Sequence, residues 1–434
     1  MRFLYFILWF TVRFALKLFF RKREIINSPK SYFTRTIYVS NHAASFMDPL
    51  VVACFNRPIV FFMTRSDVFT TFSKPFLHSM HMLPIYRQQD GVNTKERNRE
   101  VFQKCTDVLV SKRSLLIFGE GFTDDVFIRR LKNIKKGAVR IGFTALESCN
   151  WEKEIYIAAL GCNYTEPNKF RSEVLIANGQ PIMLNHYRAA YEMNPDKIIS
   201  ELTLLMEQEM QAQITHVQDE ELALTHEKLM SITGLGMSST DEKSKYSLKD
   251  RWLFSKKLAK KINAVEKTDA NLKEFSFASD TFLSKLNTIG IKSEDLDHAQ
   301  QPGYIQSKYF QLFLKFPFAI LGFLHCYLPY YMVKSWVEKS FKRSVFWGST
   351  KMIVGMFAFG ILNIPIVWLL FSFVGNYSWL GWIYYFLIGF FWIAFADVRL
   401  TIQLISRAKL ASRNMELSKE KILLTEQIID WMNN

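Results

Sequence analysis

The chain has 434 residues, a net charge of +15, 49% hydrophobic and 15% aromatic residues, and a mean hydropathy of +0.01. That length excludes one small domain and leaves room for two or three units, and the near-zero mean alongside 22% charge implies strongly apolar and strongly polar parts in one chain. The excess of cations points to an anionic partner. With long apolar segments and no DNA- or RNA-reading motif, lipid headgroups or a phosphorylated substrate are the expected partners and nucleic acid is not.

Residues 3–20 are apolar but interrupted by Arg13 and Lys17. Arg2, Arg13, Lys17 and Arg21 recur at helical spacings of eleven, four and four, which gathers them on one face. This predicts an amphipathic anchor over residues 1–30, lying in a membrane interface with its Phe, Leu and Trp side chains buried. A cleaved signal peptide is the rival, but no small-residue cleavage site follows.

Between about 31 and 190, short β-rich runs alternate with helical stretches. Thr36–Ser40, Ile59–Met63, Met82–Tyr86, Leu115–Phe118, Ile155–Leu160 and Val174–Ala177 read as strands, and Asn93–Ser111 and Asn133–Ser148 as helices. The alternation predicts an α/β core with a largely parallel sheet. Residues 191–305 are polar and helical. Asn194-Pro195 starts one helix there, and a second runs from Asp219 to Ile232, ending near Gly234.

Three apolar segments follow, at about 311–332, 352–374 and 379–396. The last two are long enough to span a bilayer and form a hairpin across Gly375–Ser378. Lys334, Lys339, Lys342, Arg343 and Lys351 precede the hairpin, and Arg399, Arg407, Lys409 and Arg413 follow it, so both flanks are expected on the cytoplasmic side. With a cytoplasmic α/β core, segment 311–332 must leave and return on one side; Lys315, Pro317, Gly322 and Pro329 interrupt it, and a re-entrant or interface-lying helix is predicted. The tail, 401–434, reads as a helix with Leu410, Leu417, Leu424 and Trp431 seven apart, expected to dock on its own domain. The five cysteines, Cys54, Cys105, Cys149, Cys162 and Cys326, form no CxxC pair and are odd in number, which argues for a reduced chain and small buried thiols.

Three predicted strands each deliver a polar residue just beyond their carboxyl ends. His42 follows Thr36–Ser40, Arg87 follows Met82–Tyr86, and Glu120 follows Leu115–Phe118. In open α/β sheets ligand sites gather at that edge. His42 with Asp48 is a candidate general base and orienting carboxylate. Asp48-Pro49 also reads as a plain helix start, aspartate at N-cap and proline at the first helical position. Glu120 could equally hydrogen-bond its own turn, and Arg87 could be a surface charge. His78 and His81 have helical spacing but no third ligand in a supporting motif, so no metal is expected. The run Arg129, Arg130, Lys132, Lys135, Lys136 and Arg140 reads as a solvated or headgroup-facing surface.

The blocks Val39-Ser-Asn-His-Ala-Ala-Ser-Phe-Met-Asp48, Leu83-Pro-Ile-Tyr-Arg87 and Phe118-Gly-Glu-Gly121 resemble the first three motifs of the glycerolipid acyltransferases, in order and over roughly residues 30–180. The resemblance implies an acyltransferase-type α/β core. It also implies that His42 is the general base and Asp48 its orienting partner, that Arg87 binds the acceptor's phosphate, and that Glu120 and Gly121 shape the acceptor pocket. The substrates it implies are an acyl-CoA or acyl carrier protein thioester and a phosphorylated glycerol, with no metal or organic cofactor. Glycerol-3-phosphate is the expected acceptor and 1-acylglycerol-3-phosphate the alternative. A bacterial inner membrane is favoured over an internal eukaryotic one.

Five residues separate His42 from Asp48, where the family's commonest spacing is four; a branch of the family shares the longer spacing. On a regular helix six positions advance about 600°, which would leave the two side chains about 120° apart. A turn or bulge near Ala44–Met47 is therefore required. Gly119 stands for the usual proline of the third motif, Phe122 for its threonine, and Ala159 for the proline of the fourth. A silent lipid-binding version of the fold and a membrane scaffold are the readings from other classes.

Overall fold

The computed structural model describes residues 2–28, 35–55, 59–86, 94–240, 242, 244–373 and 375–434. Two compact units emerge: Met1–Phe14, Lys22–Tyr164 and Val174–His216 form one; Ala15–Arg21, Thr165–Glu173 and Val217–Asn434 form the other.

The first unit is built on an eight-stranded sheet. Its strands are β1 (Lys22–Ile26), β2 (Thr36–Ser40), β3 (Val60–Arg65), β4 (Met82–Ile85), β5 (Ser114–Phe118), β6 (Tyr156–Tyr164), β7 (Glu173–Asn178) and β8 (Ile182–Met183). The order is β1-β7-β6-β2-β5-β3-β4, with β8 also on β6. The central pairs β6-β2, β2-β5, β5-β3 and β3-β4 are parallel, and β7 and β8 run antiparallel to β6. All five residues of β2 are buried, as expected of a strand covered on both faces, where an apolar run replaces alternation. Pro84 is tolerated in β4 because β4 ends the sheet.

All six expected strands are present, most with ends shifted by one to four residues. Strands β1 and β8 were not foreseen. Lys22-Arg-Glu24 hides β1 from any hydrophobic pattern, and β8 is two residues long.

Around the sheet lie α1 (Arg2–Phe19), α2 (Met47–Phe55), α3 (Lys74–Ser79), α4 (Thr94–Val110), α5 (Gly137–Ser148), α6 (Arg188–Met193) and α7 (Pro195–Gln213). Ile37, Val39, Leu115 and Ile157 from the strands pack with Phe143 and Leu146 of α5 and Ile199, Leu202 and Met206 of α7 in one core. Helix α7 starts as predicted, the Asn194 side chain accepting from the Lys197 N–H, but it belongs to the α/β core.

Helix α1 forms over the predicted span, yet its faces are divided differently. The Trp9 indole donates to the Ala53 carbonyl at 3.0 Å, and the Arg13 guanidinium lies over the Trp9 ring and donates to the Cys54 carbonyl. Both side chains are thus spent on the end of α2. Among the described side chains of α1, Leu4, Phe6, Ile7 and Phe10 are the exposed large apolar ones. Because the helix ends at Phe19, Arg21 leaves the basic face predicted for it and pairs instead with Glu173 at 2.7 Å.

The second unit is helical. Helices α8 (Glu220–Thr233), α9 (Leu248–Ala264), α10 (Ala270–Ile289) and α11 (Ser293–Ala299) share two apolar clusters with α15 (Met415–Asn433). Helix α8 forms within a residue of its predicted span; Asp219 caps it, accepting from the Glu221 and Leu222 N–H groups, and Gly234 closes it as expected. Leu410, Leu417 and Leu424 meet α10 and α11, while Trp431 joins a separate cluster, so the sevenfold spacing marks docking and no coiled coil.

Helices α12 (Tyr304–Ser340), α13 (Trp347–Ser372) and α14 (Leu380–Ser412) are each long and apolar enough to cross a membrane. The segment expected to be re-entrant is one continuous 37-residue helix that runs through Pro317 and Pro329. At 1.5 Å per residue it extends about 55 Å. Prolines inside apolar helices are tolerated where neighbouring helices satisfy the freed backbone groups. Here Asn363 of α13 does so, its amide donating to the His325 carbonyl, four residues before Pro329, at 3.2 Å; α14 packs against the same helix so closely that a Cβ on Gly322 would run into the Phe391 carbonyl. His325 bonds Asn363 at 2.6 Å and Tyr384 at 2.8 Å, tying all three helices through two buried polar groups and one partly buried hydroxyl. Lys334 and Lys339 ride on α12, so they lie in helix and not in the predicted loop.

Candidate active site

Strands β2 and β5 are parallel neighbours, so the residues after Ser40 and after Phe118 emerge at the same edge. The Gly119 N–H donates to the Ser40 carbonyl at 3.2 Å and extends the pairing one step. Asn41 then bridges to β6: its amide donates to the Cys162 carbonyl at 3.0 Å and accepts from the Cys162 N–H at 2.8 Å. His42 therefore leaves a fixed point.

The chain turns between His42 and α2. Ser45 has φ +50°, the left-handed conformation, and the Met47 N–H bonds the Ala44 carbonyl at 3.0 Å. This bend absorbs the extra residue. It brings Asp48 Oδ2 to 3.1 Å from His42 Nδ1 and 2.9 Å from the Ala44 N–H. The two side chains predicted to meet only across a turn do meet.

Helix α2 begins at Met47, one residue before the aspartate, so Asp48 is not its N-cap. The fully buried carboxylate reaches backward to the loop that carries His42. Its other oxygen, Oδ1, accepts from the Tyr164 hydroxyl at 2.9 Å. Burial, and then the adjacent Asp48 charge, push the Tyr164 phenol well above its usual range, so it stays a donor.

The His42 ring stacks on Phe118 with centroids 4.1 Å apart. Held by stacking on one face and by Asp48 at Nδ1, the imidazole keeps Nε2 as its outward nitrogen, which makes no hydrogen bond among the described residues. A neutral imidazole oriented this way can accept a proton from a hydroxyl.

Glu120 is also brought to the site, but its oxygens are occupied. Oε1 accepts from the His42 N–H at 2.7 Å and Oε2 from the Lys132 N–H at 3.1 Å. Burial raises its carboxyl, and these two N–H bonds oppose the rise. Glu120 is thus a staple joining the His42 loop to the 122–136 segment. Gly121 has φ +77°, which glycine adopts without strain, and a Cβ there would meet Lys135 Nζ at 3.3 Å. Arg87 lies outside the described residues; β4, which ends at Ile85, is part of the parallel array whose carboxyl ends share this edge.

The basic run is only partly a free surface. Arg129 donates to the Tyr164 carbonyl at 3.2 Å, and Lys132 pairs with Asp124 at 2.8 Å while standing 3.9 Å from the centre of the exposed Phe122 ring. His81 stacks between Tyr5 and Phe61, with centroids 4.3 and 4.2 Å away. Among the described residues no group of three or more His, Cys, Asp or Glu could hold a metal ion.

Tyr164, Phe118, Asn41 and Ser45 were not assigned a role from sequence. Tyr164 closes the run Ile157-Ala-Ala-Leu-Gly-Cys-Asn-Tyr164 that carries Ala159 of the fourth motif, so the available signal is a phenol at the end of a buried strand. Only the sheet order reveals that this strand lies beside β2.

Residues 20–162, about a third of the chain, match the Acyltransferase family. Two solved chains match. One is the 1-acyl-sn-glycerophosphate (LPA) acyltransferase PlsC from Thermotoga maritima, 15% identical, with 45% of this chain and 73% of that chain covered and a TM-score of 0.32. A likeness that low carries no argument about substrate. No curated protein matches the chain.

Proposed function

Starting from an acyltransferase-family match over residues 20–162, we propose that the chain moves a fatty acyl group from a thioester donor to glycerol-3-phosphate, with His42 as general base. The observation that carries this reading is the His42–Asp48 pair, 3.1 Å apart despite the five-residue spacing. Nε2 takes the proton of the acceptor hydroxyl as its oxygen attacks the thioester carbonyl. The carbon–sulfur bond then breaks, and the departing thiolate, free CoA or the deacylated carrier protein, takes the proton from the imidazolium. Asp48 holds Nδ1–H toward itself throughout, which fixes the tautomer and stabilises the transient cation. General-base assistance of this kind supplies about 10²–10⁴ in rate.

Arg87 is assigned to the acceptor's phosphate, on the motif resemblance and on its place after a strand of the parallel array. A planar guanidinium fork suits that partner. Glu120 acts as a positioning residue through the His42 backbone. The acyl transfer needs no metal or organic cofactor. The helices long enough to cross a membrane fit an acyl chain and a lipid product that partition into the bilayer, and the excess of cations fits both anionic donors. With both flanks of the α13–α14 hairpin placed on the cytoplasmic side, the catalytic unit is assigned to that face, of a bacterial inner membrane, which requires α12 to enter and leave on the same side.

A second acceptor, 1-acylglycerol-3-phosphate, is compatible with two exposed side chains in the site loops. Phe46 lies between His42 and Asp48, and Phe122 follows Gly121, at 43% and 58% exposure. An acyl chain on either donor or acceptor would cover them. Initial rates of the full-length protein with labelled glycerol-3-phosphate and with 1-acylglycerol-3-phosphate, one acyl thioester held constant, decide the acceptor. Preference for the first supports the assignment; preference for the second replaces it.

A further inference from the structure

The second unit contains a cavity of about 250 Å³ that the proposed acyl transfer does not use. Tyr330 of α12 and Trp392 and Phe395 of α14 form its apolar wall; the Trp392 ring lies 4.9 Å from Tyr330 and 5.2 Å from Phe395. Arg399 of α14, with Lys169 and Arg171 from the β6–β7 connection, forms its polar wall.

The charge on that wall is positive once pairings are counted. Two acids line the cavity, Glu242 and Asp397, and both are neutralised from outside it. Glu242 pairs with Lys292 at 2.6 Å and with Arg407, whereas Lys169 stands farther off at 3.4 Å. Burial acts to raise the Glu242 carboxyl, but those cations override it and hold it at about 2, so it stays ionised and satisfied. Asp397 is taken by Lys315. Arg21 is spent on Glu173. Arg399 is exposed and has no acidic partner among the described residues. Arg171 has φ +67°, a backbone conformation that non-glycine residues rarely adopt.

The level of the cavity along α14 matters as much as its charge. Leu380 to Phe395 is apolar, and Asp397 and Arg399 are the first charges after it. Aromatic rings beneath cations, where an apolar helix gives way to charge, is the arrangement found at lipid headgroup level.

We propose that this cavity binds the phosphate headgroup of an anionic phospholipid, with Arg399, Lys169 and Arg171 around the phosphate and Tyr330, Trp392 and Phe395 along the glycerol and first acyl carbons. The site is separate from His42 and holds a lipid as a bound component, not as acceptor. The assignment rests on the membrane reading of α12 and α14. That reading is tested first: membranes washed with alkaline carbonate retain the full-length protein if it spans, and release of the protein overturns both.

The test of the cavity itself is native mass spectrometry of the detergent-solubilised full-length protein, titrated with phosphatidylglycerol, phosphatidylcholine or inorganic phosphate. Phosphatidylglycerol should be retained in preference to phosphatidylcholine, and millimolar phosphate should not displace it. Arg399→Glu should weaken that preference at least about five-fold, the worth of one basic side chain near an anionic lipid surface. Arg399→Lys should keep most of it, which guards against a folding defect in the first variant. Arg413→Glu makes the same charge change at the exposed end of α14 and should leave the preference intact. Equal retention of the two lipids by wild type overturns the proposal, as does an unchanged preference in Arg399→Glu or an equal loss in Arg413→Glu. Displacement by phosphate alone would assign the cavity to a free anion and overturn the lipid.

Discussion

The Tyr164 hydroxyl donates to Asp48 Oδ1 at 2.9 Å while His42 Nδ1 stands 3.1 Å from Oδ2, so one buried carboxylate is gripped from two strands of the sheet. A carboxylate removed from water needs each oxygen satisfied, or it reorients or takes up a proton. Tyr164 thereby serves as a positioning residue that acts on His42 through Asp48.

Tyr164→Phe should remove that donor and leave the rest of the fold intact. An unsatisfied buried acceptor costs about 1–3 kcal/mol, and if that cost falls on the oriented imidazole, kcat drops by roughly 5- to 150-fold. KM for the acceptor should change little. Steady-state kinetics check the split; an unaltered kcat would show that Asp48 needs no second support.

The left-handed turn at Ser45 makes the five-residue spacing work. Ser45→Gly should preserve activity, because glycine adopts positive φ freely. Ser45→Val should depress it strongly, a β-branched residue being a poor fit at that φ. Comparing kcat/KM for the two variants at matched thermal stability tests the turn directly; equal activity would mean that the turn does not set the His42–Asp48 geometry.

Glu120→Gln should lower both stability and rate. The amide offers one acceptor where the carboxylate offers two, so either the His42 or the Lys132 N–H loses its partner. The expected stability loss is about 1–3 kcal/mol, read as a lower unfolding midpoint in detergent. A shift in acceptor KM with unchanged stability would instead make Glu120 a direct contact of the acceptor.

Acid sensitivity of the second unit should trace to Glu242. Its carboxyl is held at about 2, below the usual value of 4.5, by Lys292 and Arg407 against the cost of burial. A depressed carboxylate contributes stability that is present above the unfolded value and is lost as pH falls through the folded one. The contribution is on the order of 3 kcal/mol. Unfolding midpoints should therefore fall between pH 4.5 and about 2 in wild type, and Glu242→Gln should flatten that slope while lowering stability at neutral pH. A parallel slope in both proteins would place the acid-sensitive group elsewhere.

Sheet and site were legible in the sequence to different depths. Apolar runs such as Thr36–Ser40 and Leu115–Phe118 announce central strands because burial on both faces leaves no room for polar alternation. His42, Asp48 and Glu120 were legible because each stands just past such a run. Lys22–Ile26 was not, since a charged strand is recruited by its partner β7 and not by its own pattern. Tyr164 was hidden for a related reason: it lies 116 positions from Asp48, and only the β6-β2 pairing brings the two together. The helical capping read from Asp48-Pro49 was the cheapest local explanation, and tertiary hydrogen bonds displaced it. At 311–332, Pro317 and Pro329 read as breaks, but α12 runs through both, with Asn363 of α13 bonding the His325 carbonyl that Pro329 leaves free and α14 packed alongside.

The central claim is that His42 is the base of an acyl transfer. Turnover of labelled glycerol-3-phosphate and an acyl thioester by the purified full-length protein, measured beside His42→Ala at equal folded concentration, tests it most directly. Wild type should turn over and His42→Ala should lose about 10²–10⁴ in rate; equal turnover in the two proteins would remove His42 from the role of base.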